Sequence, residues 1–354
     1  MMKLKNLRKR IDEVDGQILE LLNKRARTSL EIAQVKKGKG MEYYLPHREE
    51  QIYKRLKKKN KGPFPNKALE EVYREIISGN LSLEKPLGIA YLGPEATFTH
   101  LASMQKFGSS PSYLPVKSIA DVFSEVERGR ADYGVVPIEN STEGVINYTL
   151  DMFIDSDLKI VSEILLEISH NLLSKGSLKD IKKIYSHSQA IAQSRNWVEN
   201  NLPNARIIEV SSTARAAARA TKEKNASAIA SELAAKLYNL RIVASHIEDT
   251  KENVTRFLVI GKTISKRTGK DKASIMFSIK DRPGALYDML RSFAKEKINL
   301  TKIESRPSKK KAWEYIFFVD FQGHIEDKKV KKALKELEKG CLFLKILGAY
   351  PVAR

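Results

Sequence analysis

The sequence holds a single cysteine, Cys341, in 354 residues. One thiol excludes an internal disulfide and any zinc site built on several thiolates, and it agrees with a reducing compartment. Long apolar runs are also missing: nothing approaches the roughly eighteen residues that a membrane-crossing helix needs. The opening residues, MMKLKNLRKRIDEVD, are charged and helical in pattern and lack an apolar leader core, so the expected location is the cytoplasm. Residues 4–37 contain no proline and one glycine, Gly16, which leaves little to break a helix there.

What is present suits a soluble globular protein, with 42% hydrophobic and 30% charged residues. The length exceeds one typical core and predicts two or three domains. A formal charge of +20 admits nucleic acid, a membrane surface or small anionic substrates as partners. The lysine runs at 57–59 and 309–311 fall in expected loops without interleaved aromatics, so they read as solvated surface rather than as a platform for bases. Neither nucleic acid nor a membrane is therefore expected. The rival nucleic-acid reading predicts steeply salt-dependent binding.

The stretch YGVVPIENSTEG, residues 133–144, is a short apolar run that ends in a polar cluster. Residues 134–138 read as a buried strand, followed by Glu139, Asn140, Ser141, Thr142 and Glu143, with Gly144 free to take unusual backbone angles. In open α/β sheets such a position, beyond the carboxyl end of a strand, is where ligands bind. A solvated loop with a helix cap is the alternative.

Residues 4–37 carry apolar side chains at Leu7, Ile11, Val14, Ile18, Leu21, Leu22, Ile32 and Val35, the spacing of one long amphipathic helix. Arg25 and Lys36 fall on or near the apolar stripe, where a cation needs a partner. Either they snorkel or pair internally, or they face an anion in a helical bundle. Arg8 points about 100° away from Arg25, so any anion site it serves belongs to a partner chain. A second helix is expected near residues 46–58 and a third at about 67–83, separated by GPFPN. Three helices, one very long, predict an intertwined dimer.

The pattern of Arg8, Arg25 and Lys36, HREE at 47–50, and VYREIISGNLSLEKP resembles the all-helical chorismate mutase family. The resemblance implies that Arg25, Arg48 and the other subunit's Arg8 bind the carboxylates of chorismate. It places Lys36 and Glu84 at the ether oxygen and Glu49 at the hydroxyl. Leu45 and Asn80 depart from the aspartate and serine of some members.

From Pro86 to about Lys262 the chain alternates strand-like runs with helical patterns, as an α/β sheet domain does. Strands are expected at 87–92, 131–137, 159–168, 183–185, 206–210, 226–230 and 257–260. Polar elbows adjoin them: GPEATFTH, PIENSTEG, SHSQA, SSTA and NVTRF. Thr97 in the first of these is equally readable as a helix cap. Five such elbows in this order resemble prephenate dehydratase. That family implies a two-lobed, periplasmic-binding-protein-like α/β fold with an interlobe site that removes carbon dioxide and water from prephenate without a cofactor. By motif, Thr255 assists departure of the hydroxide, Glu139, Asn140, Ser186 and Gln193 shape the cleft, and Arg256 binds a carboxylate. For Arg256 an ion pair is the alternative. Ser194 stands where a cysteine is often found.

The polar segment 265–272 reads as a linker. Beyond it, strands at 273–279, 299–305, 313–321 and 342–350 and helices at 284–296 and 326–339 give the βαββαβ order of a ferredoxin-like α+β domain. DRPGALYDML and ESRP resemble the amino-acid-binding motifs of the ACT regulatory domain, implying an effector site at Gly284, Ala285 and Leu286 with Glu304, Ser305, Arg306 and Pro307. Pro283 and Gly284 also suit a tight turn. The expected domains are 1–85, 86–263 and 272–354, an order similar to that of bifunctional chorismate mutase/prephenate dehydratases of phenylalanine biosynthesis. The expected partners are chorismate, prephenate and phenylalanine as effector, in a homodimer or dimer of dimers, with no cofactor and no metal. A non-catalytic sensor is the rival of another class.

Overall fold

Nothing interrupts the first segment, and it forms one helix, α1 (Met2–Gly38), about 55 Å long. The computed structural model describes residues 2–38, 42–250, 252–280, 282–307 and 315–353. Part of the KKGKG turn, the lysine run 309–311 and the start of the strand expected from 313 lie outside the described residues. Helix α2 (Pro46–Lys59) begins with its proline in the first turn, where no intrahelical N–H is needed, and α3 (Asn66–Glu84) follows the GPFPN break. Along α1 the side chains of Leu7, Ile11, Val14, Ile18, Leu21, Ile32 and Val35 are 46–65% exposed in the single chain.

The described residues form two compact units, one of 1–87 with 106–112, the other of 88–105 with 113–354. In the first unit, segment 106–112 is held on α3. Ser109 donates to Glu75 Oε2 through its amide (3.0 Å) and hydroxyl (2.7 Å), and Ser110 N donates to Ser78 Oγ (3.2 Å). Phe107 packs against Tyr44 with ring centroids 4.9 Å apart.

The second unit opens with β1 (Gly88–Leu92), α4 (Phe98–Phe107), β2 (Ser112–Val116), α5 (Ile119–Glu127), β3 (Tyr133–Asn140), β4 (Gly144–Val145), α6 (Asn147–Asp155) and β5 (Lys159–Glu167). The chain then crosses into a second lobe of β6 (Asn171–Ser174), β7 (Lys183–Ser186), α7 (Ser188–Ala192), α8 (Arg195–Asn201), β8 (Arg206–Glu209), α9 (Thr213–Ala220), β9 (Ala226–Ala230), α10 (Glu232–Leu237) and β10 (Arg241–Ala244). It returns through β11 (Val254–Gly261). The first lobe has strand order β5-β11-β3-β1-β2, with β4 on β3, and the second has β10-β6-β9-β7-β8. Two sheets joined by two crossings make the two-lobed architecture. Four short strands, β2, β4, β6 and β10, were not expected, because two to five residues give too little periodicity to read.

The last part comprises β12 (Asp271–Ile279), α11 (Ala285–Lys295), β13 (Leu300–Pro307), β14 (Tyr315–Gln322), α12 (Lys328–Glu338) and β15 (Cys341–Pro351). Its order β13-β14-β12-β15 is ferredoxin-like. This sheet is buried on both faces. Val319 and Phe321 of β14 pack with Phe293 and Leu334 beneath the helices, whereas Ile316 and Phe318 on the other face pack with Leu150, Phe153 and Ile160 of the first lobe. The expected linker 265–272 is therefore no free tether. Ser265 is buried and donates to Val161 O (2.7 Å), and Asp271 accepts from the amides of Thr268 and Gly269 (both 2.9 Å).

This sheet is continuous with that of the first lobe, because Gly348 of β15 pairs with Ile160 of β5. A Cβ on Gly348 would stand 2.2 Å from Ile160 O, a clash with backbone that no rotamer relieves. Gly348→Ala is expected to lower stability by about 1–3 kcal/mol, the usual range for overpacking, read as a drop in Tm of the second unit. An unchanged Tm would contradict this account of the junction.

Candidate active sites

In the helical unit, α1, α2 and α3 gather four of the expected residues. Lys36 Nζ donates to Glu84 Oε2 (3.2 Å) and to Tyr43 O (3.1 Å), and lies 5.6 Å from the centre of the Tyr43 ring. Burial lowers the pKa of Arg25, with Tyr73 and Glu84 opposing that shift and Arg48 adding to it, which places all three near its guanidinium. Arg25 Nη1 is buried with no acceptor among the described residues, an N–H that an anionic ligand would satisfy. Arg48 is exposed and donates to Gln51 Oε1 (3.2 Å), and Glu49 lies 4.0 Å from Lys106 Nζ. Arg8 is seventeen residues from Arg25, about 25 Å along the same straight helix, and so cannot reach this cluster within its own chain. Asn80 is buried and its amide donates to Ile76 O (2.6 Å).

In the two-lobed region, β3 runs farther than its apolar stretch. Glu139 and Asn140 belong to the strand, pairing with Arg256 and Thr255 of β11. Thr255 and Arg256 likewise lie within β11, which starts three residues before its expected first residue. Successive strand residues face opposite sides, so the four split into two pairs.

On one side, Asn140 Oδ1 accepts from the amides of Thr142 (3.0 Å) and Glu143 (3.1 Å). Those fixed donors set the orientation of the carboxamide, and Nδ2 donates to Thr255 Oγ1 and Asn253 Oδ1, both at 2.7 Å. Asn253 Nδ2 donates to Gln193 Oε1 (2.9 Å), which also accepts from His170 Nε2 (2.8 Å). Gln193 Nε2 donates to Glu143 Oε1 (3.0 Å), and Gln189 reaches the other oxygen of Glu143. Gln189 and Gln193 belong to the second lobe, so this chain of bonds crosses the cleft. Burial lowers the pKa of His170 against the opposing bond to Gln193.

On the other side, the expectation for Glu139 and Arg256 is corrected. Arg256 is 7% exposed, and its guanidinium donates to Glu163, Glu139 and Asp320 and to the Tyr350 hydroxyl. Glu139 pairs with Arg256 and Lys302. Neither lies with Thr255, because strand alternation turns both away from the cleft. Ser186 also departs from expectation: it is fully buried, and its hydroxyl donates to Ile229 O (2.7 Å), bracing β7 against β9. Three of the five elbows act as helix caps: Thr97 Oγ1 accepts from His100 N (3.4 Å), His187 Nδ1 from Gln189 N (3.4 Å) and Ser212 Oγ from Arg215 N (3.1 Å).

Asn253 and His170 were missed as site residues. A polar pair flanking the ends of β5 and β11, where the chain changes lobes, was the available signal. In the last part, Gly284 sits at φ +74° just before α11, with nothing within 4 Å of where a Cβ would be. Ala285 is buried and Leu286 half-buried. Along β13, Ser305 and Pro307 are exposed while Glu304 and Arg306 are half-buried. Arg306 Nη2 donates to both oxygens of Asp151 on α6 (2.9 and 3.1 Å), so this end of the guanidinium is engaged within the chain.

Residues 7–85 match the family Chorismate mutase type II, 89–265 Prephenate dehydratase and 273–339 the ACT domain. Over 358 aligned residues the chain is 54% identical to the bifunctional chorismate mutase/prephenate dehydratase of Aquifex aeolicus (strain VF5), covering 100% of this chain and 99% of that one. The chain belongs to the bifunctional chorismate mutase/prephenate dehydratase family. It therefore joins an isomerase and a lyase of aromatic amino acid biosynthesis in one polypeptide. The Pseudomonas aeruginosa member is 44% identical over 99% of this chain and 98% of its own. A prephenate dehydratase from Arthrobacter aurescens, solved in complex with L-Phe, is 36% identical with a TM-score of 0.70 and covers 75% of this chain and 90% of its own. Among the described residues no group of three or more His, Cys, Asp or Glu is placed to hold a metal ion, and no helix is long and apolar enough to cross a membrane.

Proposed function

We propose that the two reactions run at separate sites, the mutase within residues 1–85 and the dehydratase within 86–263, with 272–354 as the regulatory part. In the mutase site Arg25, Arg48 and Arg8 from a second subunit hold the carboxylates of chorismate, Lys36 and Glu84 meet its ether oxygen, and Glu49 its hydroxyl. The rearrangement needs no nucleophile, so restraint and electrostatic stabilisation supply the catalysis. The unsatisfied, buried Arg25 Nη1 supports this reading. The exposed apolar face of α1 and the distance of Arg8 support a homodimer or dimer of dimers.

In the dehydratase site Thr255 protonates the hydroxide as it leaves prephenate, while the electrons of the breaking carboxylate bond enter the ring and carbon dioxide departs. The observation that carries this reading is the bond from Asn140 Nδ2 to Thr255 Oγ1. Because the threonine oxygen accepts there, its own hydrogen is not engaged in that bond and is free for the substrate. Donation to the oxygen also stabilises the charge that develops as the proton leaves, which an ordinary threonine lacks. Gln193 lines the cleft, and Ser186 braces its second lobe. The test is to assay each partial reaction alone. Dehydratase turnover unaffected by the Asn140→Ala substitution would remove Asn140 from this role.

The regulatory part takes phenylalanine at Gly284–Leu286 and Glu304–Pro307, as the L-Phe complex of the Arthrobacter relative suggests. Arg306 contributes through its hold on Asp151 rather than by direct contact. The predicted outcome is inhibition of the dehydratase by phenylalanine. In Gly284→Val, whose side chain fills the open approach, the inhibitory concentration should rise at least about fivefold, the lower end of typical coupling. Because any side chain at φ +74° is strained, Tm is recorded alongside. Equal inhibition of both proteins would place phenylalanine in the catalytic cleft. The composition fits a cytoplasmic enzyme.

A further inference from the structure

Four side chains of the cleft close into a ring of hydrogen bonds. Asn140 Nδ2 donates to Asn253 Oδ1 (2.7 Å), Asn253 Nδ2 to Gln193 Oε1 (2.9 Å), Gln193 Nε2 to Thr142 Oγ1 (3.4 Å), and the Thr142 hydroxyl back to Asn140 Oδ1 (2.6 Å). Every member gives to the next in the same direction. Turning over any one carboxamide would set donor against donor and force its neighbours to turn as well. Thr255 hangs on this ring at Asn140 Nδ2. With the ring reversed, Asn140 would face the threonine with Oδ1 and take the hydrogen that the leaving hydroxide requires.

The sense is set from both lobes. In the first, the amides of Thr142 and Glu143 hold Asn140 Oδ1. On the side of the second, Gln193 Nε2 faces the Glu143 carboxylate, which only accepts, so Gln193 Oε1 faces His170 and the imidazole donates from Nε2 (2.8 Å). A neutral imidazole has one N–H, which leaves Nδ1 bare. That nitrogen is buried without a partner among the described residues, and burial lowers the pKa of His170 against Gln193 and Glu248, which favours the neutral ring. His170 is also firmly seated. It is 2% exposed in the segment joining β5 to β6, its amide donates to Glu248 Oε2 (2.8 Å), and its carbonyl accepts from Ile247 N (2.9 Å). Phe98 of α4 meets its ring edge to face, with centroids 5.6 Å apart.

We infer that His170 is a positioning residue for the dehydratase reaction: by donating from Nε2 to Gln193 it holds the sense of the ring, so that Asn140 gives a hydrogen to Thr255 instead of taking the one meant for substrate. This rests on the reading of Thr255 and Asn140 as the reacting pair. The imidazole touches neither substrate nor threonine. Its proton acts through three carboxamides.

The test uses the full chain with His170→Leu, which has no donor, and His170→Gln, which keeps one. The leucine variant should lower dehydratase kcat about tenfold with KM changed less than about twofold and mutase turnover normal, and the glutamine variant should recover most of the loss. In a Thr255→Ala background His170→Leu should slow the residual rate less than about twofold, because no hydroxyl is left to orient. Nitrogen NMR of the histidine-labelled chain, with His170 assigned by its loss in His170→Gln, should show a proton on Nε2 and none on Nδ1 at neutral pH. A ring protonated on Nδ1, neutral or charged, would overturn the inference. So would normal kcat in His170→Leu, a glutamine variant as slow as the leucine one, or a His170→Leu effect of equal size with and without Thr255. If Thr255→Ala itself turned over normally, the cleft reading would fall, and this inference with it.

Discussion

Thr255→Ala is expected to lower dehydratase kcat by at least about a hundredfold, the order lost when one aimed transition-state donor is removed, and to leave the mutase rate unchanged. The expectation follows from the bond pattern at Thr255. Its oxygen is 2.7 Å from Asn140 Nδ2, and Asn140 is itself oriented by two backbone amides, so that bond occupies an acceptor position and not the threonine's own hydrogen. Thr255→Ser keeps that hydroxyl and should retain most of the activity. The two variants are compared by phenylpyruvate formation from prephenate. If alanine were as active as serine, another group would have to supply the proton.

Arg25→Ala should have the opposite specificity, with mutase turnover reduced at least about a hundredfold and dehydratase turnover kept. Arg25 lies half-buried on α1, facing the other helices, with an N–H that no group among the described residues accepts. Removing it takes away charge that was desolvated in advance for an anionic substrate. Arg25→Lys should restore little, because a single ammonium cannot reproduce the planar fork that matches a carboxylate. Disappearance of chorismate is the measure. Retained mutase activity in Arg25→Ala would make the orphaned N–H a packing feature.

Much of this was readable in the residues alone. The absence of helix breakers and the 3.6-residue stripe define α1 almost to its ends, and the order of apolar runs after residue 271 yields the ferredoxin-like part. The cleft was harder. Reading 139–143 as a loop hid the rule that neighbours on a strand face opposite sides, so Glu139 was grouped with Asn140 and Arg256 with Thr255. Which side lies under the regulatory sheet depends on Gly348 meeting Ile160, a pairing 188 positions apart that no local pattern encodes. Burial of Ser186 and the bond from His170 to Gln193 likewise depend on how the second lobe packs, not on either motif.

The most direct test of two independent sites in one chain is to mix purified Arg25→Ala and Thr255→Ala proteins and follow phenylpyruvate formation from chorismate. Each alone should fail at its own step. The mixture should regain the full conversion, because prephenate made by one protein is consumed by the other. A mixture as inactive as its components, with both folded, would contradict the account.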